Sequence, residues 1–86
     1  MHTDEYEISL YRELEVCRKR IQKIEKNLSR FEGKYKLTTD IFIEKHKSLE
    51  IGSSKDFTLW NENYEGLKRW TQLRRQYEEM FRLMKI

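Results

Sequence analysis

The stretch LYRELEVCRKRIQKIEKNLSRFEGKY, residues 10–35, decides the fold. Its apolar residues fall at Leu10, Leu14, Cys17, Ile21, Ile24, Leu28, Phe31 and Tyr35, at intervals that alternate between four and three. That alternation is the heptad seam of a coiled coil, with Leu14, Ile21 and Leu28 on one row and Leu10, Cys17, Ile24 and Phe31 on the other. The seam predicts one helix over about residues 4–32. Thr3 is its expected N-cap, acids follow in the first turns where the helix dipole favours them, and Gly33 is its expected stop. At 1.5 Å per residue such a helix is about 40 Å long, too long for a compact globule of this size to cover alone.

Downstream, KLTTDIFIEKH starts a second element. With Thr38 as N-cap, Leu37 and Phe42 take the positions of a hydrophobic staple across a helix start. A short helix over about residues 39–49 follows, with Phe42, His46 and Leu49 on one side. The EIGSS segment breaks it, and Ser53 followed by Asp56 fits a capping box that opens a third helix over about residues 54–84. The third stripe begins at Phe57, Trp60, Tyr64 and Leu67. A strict heptad would then reach Thr71 and Arg74, whereas the apolar residues continue at Trp70, Leu73, Tyr77, Met80 and Met84, with Phe81 beside them. This shift after Leu67 predicts an apolar face that one partner helix cannot cover along its whole length.

Charge is laid out in blocks. Residues 1–17 carry −4, 18–36 carry +6, 37–67 carry −3 and 68–86 carry +4, giving the net +3 of the chain. An antiparallel hairpin sets the acidic start of the first helix beside the basic end of the third, and the basic end of the first near the acidic middle of the chain. Single surface pairs contribute only about 0.2–1 kcal/mol, so charge selects against the parallel alternative without driving the fold. The expectation is one all-α domain over residues 1–86, a long, coiled-coil-like antiparallel helical hairpin with a short helix between its arms. The expected core is Leu14, Cys17, Ile21, Ile24, Leu28, Phe31, Phe42, Phe57, Trp60, Tyr64 and Leu67.

Composition agrees. Charged residues make up 38% of the chain, apolar ones 37%, and there is no proline, the profile of long solvent-washed helices. A chain of 86 residues hides only about 64% of its unfolded surface, which leaves a thin core. No apolar run is long enough to span a membrane, the acidic N-terminus is unlike a signal peptide, and the single Cys17 cannot form an internal disulfide. A cytoplasmic, reduced protein is the expectation.

The run FEGKYKLTTDIFIEKHKSLEIGSSKDFTLWNENYEGLKRW, residues 31–70, resembles small prokaryotic all-helical proteins of toxin–antitoxin loci. In those proteins a long helix ends in a Phe-Glu-x-Lys-Tyr-Gly-Met-Ser/Thr turn, followed by a short helix with a Phe, a Gly-containing loop, an Asp-Phe pair and a Trp-bearing helix. The chain departs from them at Lys36-Leu37, where they carry Gly-Met. The resemblance covers under half of the chain and implies an antitoxin-like role, in which the protein binds and neutralises a toxin partner.

The sequence assembles no catalytic constellation. His2 and His46 are isolated, no metal-ligand spacing or Gly-rich phosphate loop occurs, and no catalytic, metal or cofactor residue is assigned. The expected function is a non-catalytic protein–protein interaction module that associates with itself, as a dimer or larger, and with a protein partner. Trp70, Tyr77, Met80, Phe81 and Met84 are its candidate partner-binding residues, since Tyr, Trp and Met are enriched at interfaces. A purely structural homo-oligomeric coiled coil is one alternative. The other is nucleic-acid binding through basic parts of helices one and three, with Arg18, Lys19, Lys23, Arg74 and Arg75 as candidate contacts.

Overall fold

A computed structural model describes residues 5–48, 52 and 54–84. It contains α1 (Glu5–Tyr35), α2 (Thr39–Lys47) and α3 (Lys55–Met84), with no strand among the described residues. The two long helices run antiparallel in a rod of 58 × 20 × 17 Å. Their register is fixed along its length. Tyr6 lies beside Met80, Arg20 over the Trp70 ring, Asn27 against Asn63, Phe31 against Trp60, and Lys34 and Tyr35 against Asp56.

The core thickens at the closed end, where α2 lies across the hairpin. Trp60 and Phe42 are fully buried, their rings parallel and 4.0 Å apart, with Phe31 and Tyr35 stacked on the indole at 5.5 and 5.8 Å. Leu28 and Ile43 complete the buried cluster, and Ile24, Leu37, Phe57, Tyr64 and Leu67 pack against it partly covered. Burial of an indole contributes about 4–6 kcal/mol at roughly 25 cal/mol per Å². Its N–H is satisfied by the buried Thr39, whose hydroxyl accepts from Trp60 Nε1 at 3.0 Å and donates to Glu32 Oε2 at 2.7 Å. The Thr39 amide donates to the same carboxylate oxygen at 2.8 Å, so Glu32 ties the start of α2 to α1. Thr38 caps α2 by accepting from Ile41 N, and Leu37 packs into the cluster with Phe42, in accord with the expected staple. His46 stacks on Phe42 at 5.4 Å and is half-buried.

Farther along the rod, Leu10, Leu14, Cys17 and Ile21 are buried, which realises the seam of α1. Burial is the main reason the Cys17 thiol is held above its ordinary pKa, with Glu13 and Glu78 adding to the rise and Arg74 opposing it.

Three expectations are corrected. Gly33 does not end α1, which runs through it to Tyr35. The left-handed residue that closes the helix is Lys36, with φ 56°. The third helix is capped by Ser54, whose hydroxyl accepts from Phe57 N at 3.1 Å and whose carbonyl accepts from Thr58 N at 3.0 Å. Asp56 instead takes hydrogen bonds from Lys34 and Tyr35, which dock the start of α3 on the end of α1. The third correction concerns the stripe shift. Heptad steps from Trp60 pass through Asn63, Leu67, Trp70, Arg74, Tyr77, Phe81 and Met84, and α1 meets this seam at both ends of the rod. One partner helix therefore follows α3 past Leu67, meeting it with Ile24 at Gly66, Arg20 over Trp70 and Tyr6 at Met80. The expected caps and packing at Thr3, Leu49 and Ser53 lie outside the described residues.

Candidate association surface

The hairpin has two flanks. On one, α2 is anchored to α1 through Glu32 and to α3 through Phe57 and Trp60. The other flank is marked by Arg20 over Trp70, the Asn27–Asn63 hydrogen bond at 3.0 Å, and Lys34 on Asp56 at 2.7 Å. No described element crosses this second flank. Seven-residue spacing places Leu59, Gly66, Leu73 and Met80 on a single row of α3 that borders this flank and meets α1 at Gly66. Leu59 and Met80 are 40% and 42% exposed, Leu73 is half-buried, and Gly66 is buried with Ile24 beside it. Tyr6, 61% exposed, reaches the same edge and hydrogen-bonds the Met80 sulfur.

The candidate partner-binding residues divide across this geometry. Trp70, Tyr77, Phe81 and Met84 are half-buried at seam positions of the hairpin itself, and Met80 is the exposed member. Phe81 shares a shallow depression with Glu7, Ile8 and Tyr11 of α1 at the open end of the rod. Reading the sequence missed Leu59 as a member of the outer row. The signal that finds it is the heptad row itself, once Asn63 and Arg74 are allowed into the seam.

The candidate nucleic-acid contacts are distributed over the two long helices. Arg18 pairs with Glu15 at 3.2 Å, and Lys19 and Lys23 are exposed on α1. Arg75 is exposed on α3, whereas Arg74 is half-buried and its Nε is buried without a hydrogen-bond partner. Glu78 lies 3.8 Å from that Nε, an ion-pair distance too long for a hydrogen bond.

At the closed end, hydrogen bonds from Lys34 and then Tyr35 hold the Asp56 carboxyl below its ordinary pKa, and the same bonds hold Lys34 and Tyr35 above theirs. Among the described residues no three His, Cys, Asp or Glu side chains converge as a metal site, and no helix is long and apolar enough to cross a membrane. No protein-family model matches the chain, and no curated protein or solved structure is significantly similar to it.

Proposed function

We propose that the protein is a non-catalytic interaction module that docks other helices on the flank that α2 leaves open. The observation that carries this reading is the exposure of Leu59 and Met80 at the two ends of the Leu59–Gly66–Leu73–Met80 row, with Leu73 half-buried and Gly66 buried against Ile24 between them. The row is about 32 Å long at 1.5 Å per residue, and the rod is 20 Å wide, so a second copy laid along it would bury roughly 600 Å² on each side. The total, about 1,200 Å², reaches the lower bound of stable specific interfaces.

The first partner is therefore a second copy, and charge favours an antiparallel one. In that arrangement the acidic first half of each α3 lies along the basic second half of its mate's α3. The same flank suits a helix of a different protein. The resemblance over residues 31–70 points to a small toxin, which the module would bind and neutralise. A free, buried Cys17 suits the reducing cytoplasm.

Collisional quenching of tryptophan tests the reading. In Trp60→Phe the remaining Trp70, half-buried beside the open flank, should be protected at high protein concentration and become more accessible on dilution. Leu73→Glu should abolish that concentration dependence while leaving helicity intact. Quenching of Trp70 that is the same at every concentration would remove the open flank as a docking surface.

A further inference from the structure

The back of α1 carries a second seam, made of charge. Two places beyond each core residue from Leu10 to Leu28 stand Arg12, Val16, Lys19, Lys23, Lys26 and Arg30. Two residues turn an α-helix by about 200°, so this row lies opposite the buried seam. Every one of the six is exposed. None of the five bases makes an ion pair with a described residue, and Arg30 donates only to the neutral Asn27. The acids of α1 nearest the row are engaged elsewhere or stand to one side. Glu15 pairs with Arg18, Glu32 accepts from Thr39, and Glu25 is on the row that leads to Glu32. Lys68 and Arg82 of α3, by contrast, each pair with a carboxylate one turn earlier.

We infer that this row is a docking rail for the phosphate backbone of a nucleic-acid duplex, contacted without regard to base sequence. Five unpaired cations spread over about 27 Å of rigid helix match a linear polyanion, and a duplex presents one negative charge per roughly 1.7 Å of its axis. The row contains no ring. Single-strand binders rely on aromatic platforms for stacking, so a ring-free rail favours the duplex. A membrane surface is disfavoured because the apolar face of α1 is buried in the hairpin and Val16 alone on the rail is apolar. The inference is independent of the open flank on α3, since rail and flank occupy different rows and Leu73→Glu leaves the rail intact.

The test is binding of a mixed-sequence duplex DNA of about 20 base pairs across a salt series, by fluorescence anisotropy. Neutralising five phosphates predicts a log–log salt slope of about −4.5, or a roughly 500-fold loss of affinity between 50 and 200 mM salt. Lys19→Gln/Lys23→Gln/Lys26→Gln should reduce the slope to about −1.8 and that loss to roughly 12-fold. Lys68→Gln/Arg82→Gln should behave as wild type. Lysine acetylation of the wild-type protein gives a second readout that needs no variant to fold. Duplex should protect Lys19, Lys23 and Lys26 and leave Lys68 reactive. The inference is overturned by absence of binding at 50 mM salt, by unchanged binding of the triple variant, or by tighter binding to oligo-dT than to duplex. It is equally overturned if vesicles of phosphatidylcholine and phosphatidylserine hold the protein as strongly as DNA does.

Discussion

Arg74 occupies a seam position where the heptad calls for an apolar side chain, and Arg74→Leu should stabilise the protein. The magnitude follows from three contributions. A buried N–H without a partner costs about 1–3 kcal/mol, and Arg74 Nε is such a group, although the side chain as a whole is 34% exposed. The ion pair lost with Glu78, itself 53% exposed, is worth about 0–1 kcal/mol. Leucine restores apolar burial on the seam but is shorter than the arginine stem it replaces, so part of that gain is given back as looser packing. The expected net stabilisation is about 1–2 kcal/mol. Thermal melts should move up by about 4–8 °C for each kcal/mol in a domain of this size, and urea melts should shift in midpoint with unchanged slope. Arg75→Leu, one residue away and exposed, should stay within about 0.5 kcal/mol of wild type. Arg74 is also the cation that opposes the rise of the Cys17 pKa, so Arg74→Leu should slow the reaction of Cys17 with a thiol reagent at pH 8–9. A drop in melting temperature, with Arg75→Leu unchanged, would refute the reasoning, because it would mean that Arg74 is held by contacts worth more than its burial costs.

Trp60→Ala should cost about 3–5 kcal/mol, most of the stability of so small a domain, and Thr39→Val about 1–3 kcal/mol through the unpaired indole N–H and Glu32. Urea melts that barely move for either would dismantle the assignment of the closed-end core. Gly33→Ala and Lys36→Gly should each stabilise by about 0.5–1 kcal/mol, the first because Gly33 lies within a helix with open space around it, the second because Lys36 holds φ 56°. Loss of stability in Gly33→Ala would restore that glycine as the helix stop. The Asp56 network predicts the pH profile. With its folded pKa below the ordinary 3.8, Asp56 contributes stability that is present above that value and fades as pH falls below about 4. Tyr35 and Lys34, with folded pKa values above 10.0 and 10.5, contribute stability that is lost as pH climbs past about 10. Melting temperatures of Asp56→Asn should therefore lie below wild type between pH 5 and 9 and converge with it outside that range. Parallel curves from pH 2 to 11 would contradict this.

The first helix was legible because nothing interrupts its period. Every seam position from Leu10 to Tyr35 is apolar, so spacing alone identified the buried face. The antiparallel return was legible from the charge blocks, and the pairing of Lys34 with Asp56 is a local instance of it. The third helix misled because its apolar residues belong to two adjacent rows. Trp70 lies under Arg20 of the first helix and Met80 beside its Tyr6, and two polar residues, Asn63 and Arg74, share the interface. An apolar count cannot separate those rows, since what places Asn63 in the interface is its hydrogen bond to Asn27 across the hairpin. The stop at Lys36 was hidden for a similar reason, as a lysine gives no warning of left-handed backbone and a glycine three residues earlier does. Ile43 escaped notice because a nine-residue helix lying across two others buries more than one row.

The most direct test of the account is the mass of the native protein by sedimentation equilibrium at micromolar concentration. A module that leaves Leu59 and Met80 exposed on this flank should sediment as a dimer or larger, and Leu73→Glu should return it to the 10.7 kDa protomer with its helicity unchanged. A wild-type protein that remains a 10.7 kDa monomer throughout would contradict the claim that this flank joins one copy to another.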